Sequence, residues 1–178
     1  MKGSTLANTL NVSGSGVGGN GALINSNNTT AANYLGSITL GGNTVLGGVG
    51  LTNISGAVNS GMYGLTFLNG SFNLSNSTNT LNTVAASGVG TLSLQSGSSF
   101  VVGSLGSVVG LTTSGDVNFV TASSNNILIN SRINAGGVLN IDPTDISINA
   151  PISGTTVTLT GTGSVSYTHL TLPTKRIV

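Results

Sequence analysis

Of the chain's 178 residues, 28 Gly, 25 Ser, 24 Thr and 22 Asn together make 99, and only seven side chains are charged, for a formal net charge of +1. An ordinary soluble domain is about one quarter charged, so a conventional charged surface is excluded, as is a basic face for nucleic acid. The absence of Cys excludes a disulfide scaffold, a zinc ribbon and a thiol nucleophile, and with no Trp, no Glu and a single His most catalytic chemistries lack their parts.

Met1-Lys2-Gly3-Ser4-Thr5 is not followed by the apolar core of a signal peptide, because Leu6 to Val12 is interrupted by Asn8, Thr9 and Asn11. Gly14-Ser15-Gly16-Val17-Gly18-Gly19 fits the spacing of a dinucleotide fingerprint. It lacks the following helix and the acidic residue about twenty positions on, and reads as a turn. Gly18-Gly19-Asn20-Gly21 resembles a calcium-binding β-roll turn, but that motif takes an Asp from each repeat and the chain has three in all. Short alternating runs follow: Ala22-Leu23-Ile24, Ser37-Ile38-Thr39-Leu40, Leu65-Thr66-Phe67-Leu68, Ser71-Phe72-Asn73-Leu74 and Leu92-Ser93-Leu94. Each carries the period of two that marks a strand. Tyr34 and Tyr63 are placed at coil edges, where packing is favoured over contact with a sugar or a protein. The nearly continuous apolar stretch Phe100 to Leu111 is about a dozen residues, short of the roughly 20 that a membrane helix needs. No membrane span is predicted. Helix is disfavoured throughout, since Gly recurs too often and each costs about 1 kcal/mol in a helix interior.

From residue 116 the pattern tightens. Ile127, Ile129, Asn130, Ile133 and Val138 recur nineteen positions later as Ile146, Ile148, Asn149, Ile152 and Val157. Each copy carries short strands around a Gly-bearing turn, and Ala57-Val58-Asn59-Ser60-Gly61 is a looser copy of that turn. A unit of about twenty residues cannot bury its apolar side alone and must stack on its own copies. The fold class is therefore all-β, a β-solenoid of about twenty residues per coil. Over 164 residues this predicts roughly eight coils at about 4.8 Å spacing, a rod near 40 Å long. Ile, Val, Leu and Ala would form its interior, and Asn, Thr and Ser would form ladders outside.

Asp142 and Asp145 flank Pro143-Thr144, with Arg132 one coil earlier. As a carboxylate pair they would suit glycoside cleavage, but Asp-Pro-Thr-Asp is first a turn sequence whose carboxylates satisfy backbone amides. Thr158, Thr160 and Thr162 would present hydroxyls to ice only if matched on successive coils, and Asn140 and Ser147 break the array. No catalytic, cofactor-binding or metal-ligating residue is assigned, and no cofactor is expected.

The last residues depart from the rest. Val165 to Val178 contains His169, Lys175 and Arg176 but neither Gly nor Asn. Back-translated, Val-Ser-Tyr-Thr-His-Leu-Thr-Leu-Pro-Thr resembles the adapter of transposase-based library preparation read in frame. Residues 165–178 are therefore expected to be an unstructured artefactual tail, and His169 is given no role. Without Lys175 and Arg176 the formal charge becomes −1. Residues 1–164 form the solenoid, more irregular over 1–115 and tighter over 116–164. That region is expected to be an uncapped fragment of a protein longer at both ends.

Gly21-Ala22-Leu23-Ile24-Asn25, Leu35-Gly36-Ser37-Ile38-Thr39-Leu40-Gly41-Gly42-Asn43, Ile54-Ser55-Gly56-Ala57-Val58 and Gly64-Leu65-Thr66 resemble the β-strand repeats of bacterial autotransporter passengers. Residues 116–162, with Ile127-Leu128-Ile129-Asn130 and Asn149-Ala150-Pro151-Ile152-Ser153-Gly154, are similar to the repeats of filamentous-haemagglutinin-like adhesins exported by two-partner secretion. The resemblance covers most of residues 10–163. It implies a right-handed parallel β-helix shaft of a secreted or surface-displayed bacterial adhesin, acting in adhesion, aggregation or biofilm. Its implied partners are proteins or glycans of a host or neighbouring cell, further copies of itself, and an outer-membrane secretion partner. The alternative is a fragment of a β-helix carbohydrate-active enzyme, which would need several ionisable side chains on one face of adjacent coils.

Overall fold

The computed structural model describes residues 4–168. Strands make up 58% of those residues, and successive coils of about 20 residues stack in parallel into a β-solenoid of about 7 coils. Nineteen strands belong to one continuous sheet.

The alternation seen in the sequence becomes columns of stacked side chains. One inward column runs Leu6, Tyr34, Ile54, Leu74, Leu94, Phe119, Ile141, Leu159, each residue paired with the next. A second runs Leu23, Leu46, Phe67, Ala86, Leu111, Ile133, Ile152. A third continues through Leu65, Val84, Val102, Ile129 and Ile148. Nearly all of these side chains are buried, and each contributes about 1.5 to 3 kcal/mol. Aromatic rings meet within the core: Phe67 lies 5.1 Å from Phe72, and Phe100 meets Phe119 edge-on at 5.4 Å.

Parallel sheets are ordinarily covered on both faces. Here the outer face carries a row of amides in place of a second layer. Asn33, Asn53, Asn73, Ser93, Asn118, Asn140 and Thr158 stand in register between two inward columns. Asn53 Nδ2 donates to Asn33 Oδ1 at 3.0 Å, and Asn140 Nδ2 to Asn118 Oδ1 at 2.7 Å. At the corners, Asn149 Nδ2 donates to Asn130 Oδ1 at 2.9 Å and Ser153 Oγ to Asn134 Oδ1 at 3.0 Å. An uncharged surface thereby reinforces the stacking direction.

The coil number falls from the expected eight to about seven because two coils are long. Leu10 pairs with Ile38, 28 residues on, the excess going into an excursion around the 3-10 turn Val17–Gly19. Leu92 pairs with Val117, 25 residues on, because Ser104–Leu105 and Val108–Val109 form an antiparallel hairpin that leaves the coil. The hairpin folds back against the two preceding coils. Leu105 occupies the space a Cβ at Gly64 would take, and the outward-pointing Thr66 and Ala85 are buried.

Two details depart from the sequence reading. Ile127, Ile129 and Ile133 stack on Ile146, Ile148 and Ile152 at the nineteen-residue offset, but Val157 pairs with Leu139, and Val138 pairs with Thr156. The offset is eighteen there because the turn after Ile152 is one residue shorter. Val138 consequently faces outward, 40% exposed, and Leu139 enters the core. Secondly, Val165–Tyr167, expected to be unstructured, forms a strand on Ile146–Ile148. Its alternation sets Val165 on Ile146 and Tyr167 on Ile148 with polar Ser166 between them, so it meets the same pairing rule as the coils before it. Residues 169–178, including His169, lie outside the described residues. The irregular and tight regions, which meet near Gly115, are joined strand on strand, Leu92–Ser96 with Val117–Thr121.

Candidate functional site

Most positions singled out for chemistry are occupied by structural tasks. Gly14, Gly16, Gly18 and Gly19 all have φ between 68° and 79°, the left-handed region glycine adopts without penalty. They shape the excursion from the first coil, as a turn would. Tyr34 is not at an edge but in the core, 1% exposed: its ring stacks between Leu6 and Ile54. Tyr63 is half-buried against the core. Thr158 extends the Asn118–Asn140 row, so hydroxyls are not repeated from coil to coil there.

The acidic residues also serve the stacking. Asp116 Oδ1 accepts the Val138 amide at 2.8 Å, and Asp145 Oδ1 accepts the Ser164 amide at 2.6 Å, each from the following coil. Asp145 Oδ2 is 3.3 Å from the Asn126 amide nitrogen, with that side chain oriented to donate. Both oxygens of Asp145 are therefore engaged, while Asp142 ends its strand beside Val120. Among the described residues no three His, Cys, Asp or Glu lie together, and no helix is long and apolar enough to cross a membrane.

A concave feature opens elsewhere. A groove of about 580 Å³ crosses five coils, from Gly61 past Thr80, Asn82, Ser99 and Asn126 to Ser147. Beside its floor, side-chain hydroxyls stand in for backbone bonds. Ser98 Oγ accepts from Leu81 N and donates to Leu81 O, both at 3.1 Å, and Ser99 Oγ accepts from Asn126 N at 2.9 Å. Hydroxyls thus make the bonds between coils at two successive interfaces, just ahead of the paired rungs Val101–Thr83 and Phe100–Ile127. The floor includes Val101 and Leu128, adjacent rungs that point outward. Asn82, whose Nδ2 donates to Gly61 O at 3.3 Å, flanks this apolar pair, and Ser147 follows Leu128 in register. Among the described residues, no ionisable side chain lines the groove.

This groove is not among the positions singled out from the sequence. One signal was present: Leu128 is an apolar residue at the outward position of Ile127-Leu128-Ile129, where the next copy has Ser147 between Ile146 and Ile148. The chain matches no protein-family model, no curated protein and no solved structure.

Proposed function

We propose that this chain is a load-bearing and adhesive segment of a bacterial surface protein: the stiff shaft of a secreted adhesin that holds contacts away from the cell and adds weak, repeated contacts of its own. The observation that carries this reading is the in-register column from Leu6 to Leu159, with the Asn row beside it. Core and surface both repeat at the spacing of the coils, so length can be added coil by coil. Weak sites repeated along such a rod gain avidity from their high effective concentration. The sparse charge supports the same reading, because uncharged outer faces approach another surface with little electrostatic repulsion.

The test is display of the chain from an unrelated outer-membrane anchor on a non-adherent bacterium, scored for autoaggregation and for retention on epithelial cells and glass under flow. Retention or aggregation above that of the anchor alone is expected. Retention equal to the anchor on every surface would overturn the proposal. So would release of reducing ends from a polysaccharide by the purified chain, if Asp142→Ala with Asp145→Ala abolished it.

A further inference from the structure

We propose that the groove beside Val101 and Leu128 is a binding site for a neutral oligosaccharide. This deepens the adhesive reading above and rests on it for its biological setting. Five coils at about 4.8 Å spacing give the groove a length of about 19 Å, and its volume of about 580 Å³ falls in the range of small-molecule clefts.

The chemistry of the wall selects the ligand class. Val101 and Leu128 form a continuous apolar strip on the floor, suited to the C–H face of a pyranose ring. Around it stand Asn82, Ser99, Asn126 and Ser147, amides and hydroxyls that both donate and accept, as sugar hydroxyls do. Turned to donate, the Asn126 side-chain nitrogen lies 3.3 Å from Asp145 Oδ2. Among the described residues no cation lines the groove to pair with a uronate, sulfate or phosphate, and Asp145 behind Asn126 adds repulsion toward such groups. An extended peptide would bind by adding a strand to an open sheet edge, but Val101 and Leu128 lie within a strand pair already bonded on both sides, Val101 to Thr83 and Leu128 to Ser147. The groove therefore offers side chains where a peptide would need backbone groups.

The experiment uses the full chain, isotope-labelled, titrated to millimolar concentration in turn with cellotetraose, maltotetraose, mannotetraose, tetragalacturonate and an uncharged Ser/Thr peptide, and read by amide chemical shifts. At least one neutral tetrasaccharide is expected to shift the amides of Asn82, Ser99, Asn126, Leu128 and Ser147, with smaller or no shifts from tetragalacturonate. Leu128→Glu, on an outward half-exposed position, should weaken that binding by about tenfold or more, and Ser147→Tyr, which narrows the far end, should weaken it independently. Circular dichroism checks that both variants keep their β-structure. Absence of shifts with all three neutral sugars, shifts only with the peptide or the uronate, or neutral-sugar shifts unaffected by both variants would overturn the site. Retention of displayed cells separates the two proposals: if Leu128→Glu abolishes sugar binding while retention persists, adhesion runs through another surface. If the sugar binds while displayed cells are not retained, the site stands and the adhesive reading falls.

Discussion

Asn79 shows how one side chain can replace a stretch of β-ladder. Fully buried, it accepts the Val58 amide at 2.7 Å through Oδ1 and donates to the Gln95 carbonyl at 2.9 Å through Nδ2, joining the coil before it to the coil after it. Asn79→Ala would leave a buried donor and a buried acceptor unpaired, each worth about 1 to 3 kcal/mol; a loss of roughly 2 to 4 kcal/mol is expected in urea unfolding. Thr52 is the converse. It lies in an inward column between Ala32 and Phe72, and its buried Oγ1 has no partner. Thr52→Val keeps the shape and removes an unpaired hydroxyl, so the same measurement should show a gain of about 1 kcal/mol. Tyr34, in the column next to Thr52, has its phenol pushed up from 10.0 to about 12 by burial. Burial disfavours the phenolate, so the folded chain holds this proton when the unfolded chain has begun to release it. Stability from this source is whole below pH 10 and is lost as pH rises from 10 toward 12, on the order of 2 to 3 kcal/mol. Urea midpoints across that range should fall for the natural chain and fall less for Tyr34→Phe.

At the scale of the element, the sequence was most legible where copies are most alike. Ile127, Ile129 and Ile133 announce their partners nineteen residues on because β-branched residues recur at one offset on one face. The period of two makes that logic unforgiving. A single residue lost from the turn after Ile152 exchanges the inward and outward sets of the next strand, so Val157 meets Leu139 and not Val138. Leu139→Asp should therefore cost about 3 kcal/mol or more by burying a carboxylate, whereas Val138→Asp should change the thermal midpoint little; equal effects would contradict this register. The hairpin Ser104–Leu105 to Val108–Val109 was not legible, because Phe100 to Leu111 is a nearly unbroken apolar stretch in which the interruptions at Gly103, Ser104, Gly106 and Ser107 do not by themselves specify a hairpin. What divides it is backbone conformation: Gly106 and Gly110 have φ of 60° and 71°, and the Gly110 amide donates to the Gly103 carbonyl at 3.0 Å, closing the base. The groove escaped for a related reason. Beside its floor Ser98 and Ser99 stand in for backbone bonds, and in a chain so rich in Ser nothing local marks those two as special.

For the whole molecule, the consequence of stacking is that stability is distributed along the axis. Each coil contacts only its neighbours, so a coil inside the stack is held from two sides and a coil at the edge from one. Burial follows this order. Leu94 and Phe119 are fully enclosed, whereas Val157, Leu159 and Val165 are only partly buried and Tyr167 is 53% exposed. Native-state hydrogen exchange should resolve the difference, because local opening free energies range from near zero at frayed elements to the global value in the core. The amides of Val165–Tyr167 should exchange first, those of Thr156–Leu159 next, and those of Leu92–Ser96 and Val117–Thr121 last. Phe119→Ala, which removes a ring from the middle of a column and costs about 3 to 5 kcal/mol, should then lower protection in the coils on either side while leaving Val165–Tyr167 exchanging as before. A single uniform protection factor, lowered everywhere by that substitution, would mean that the coils unfold as one unit and that neighbour-by-neighbour stacking does not govern this chain.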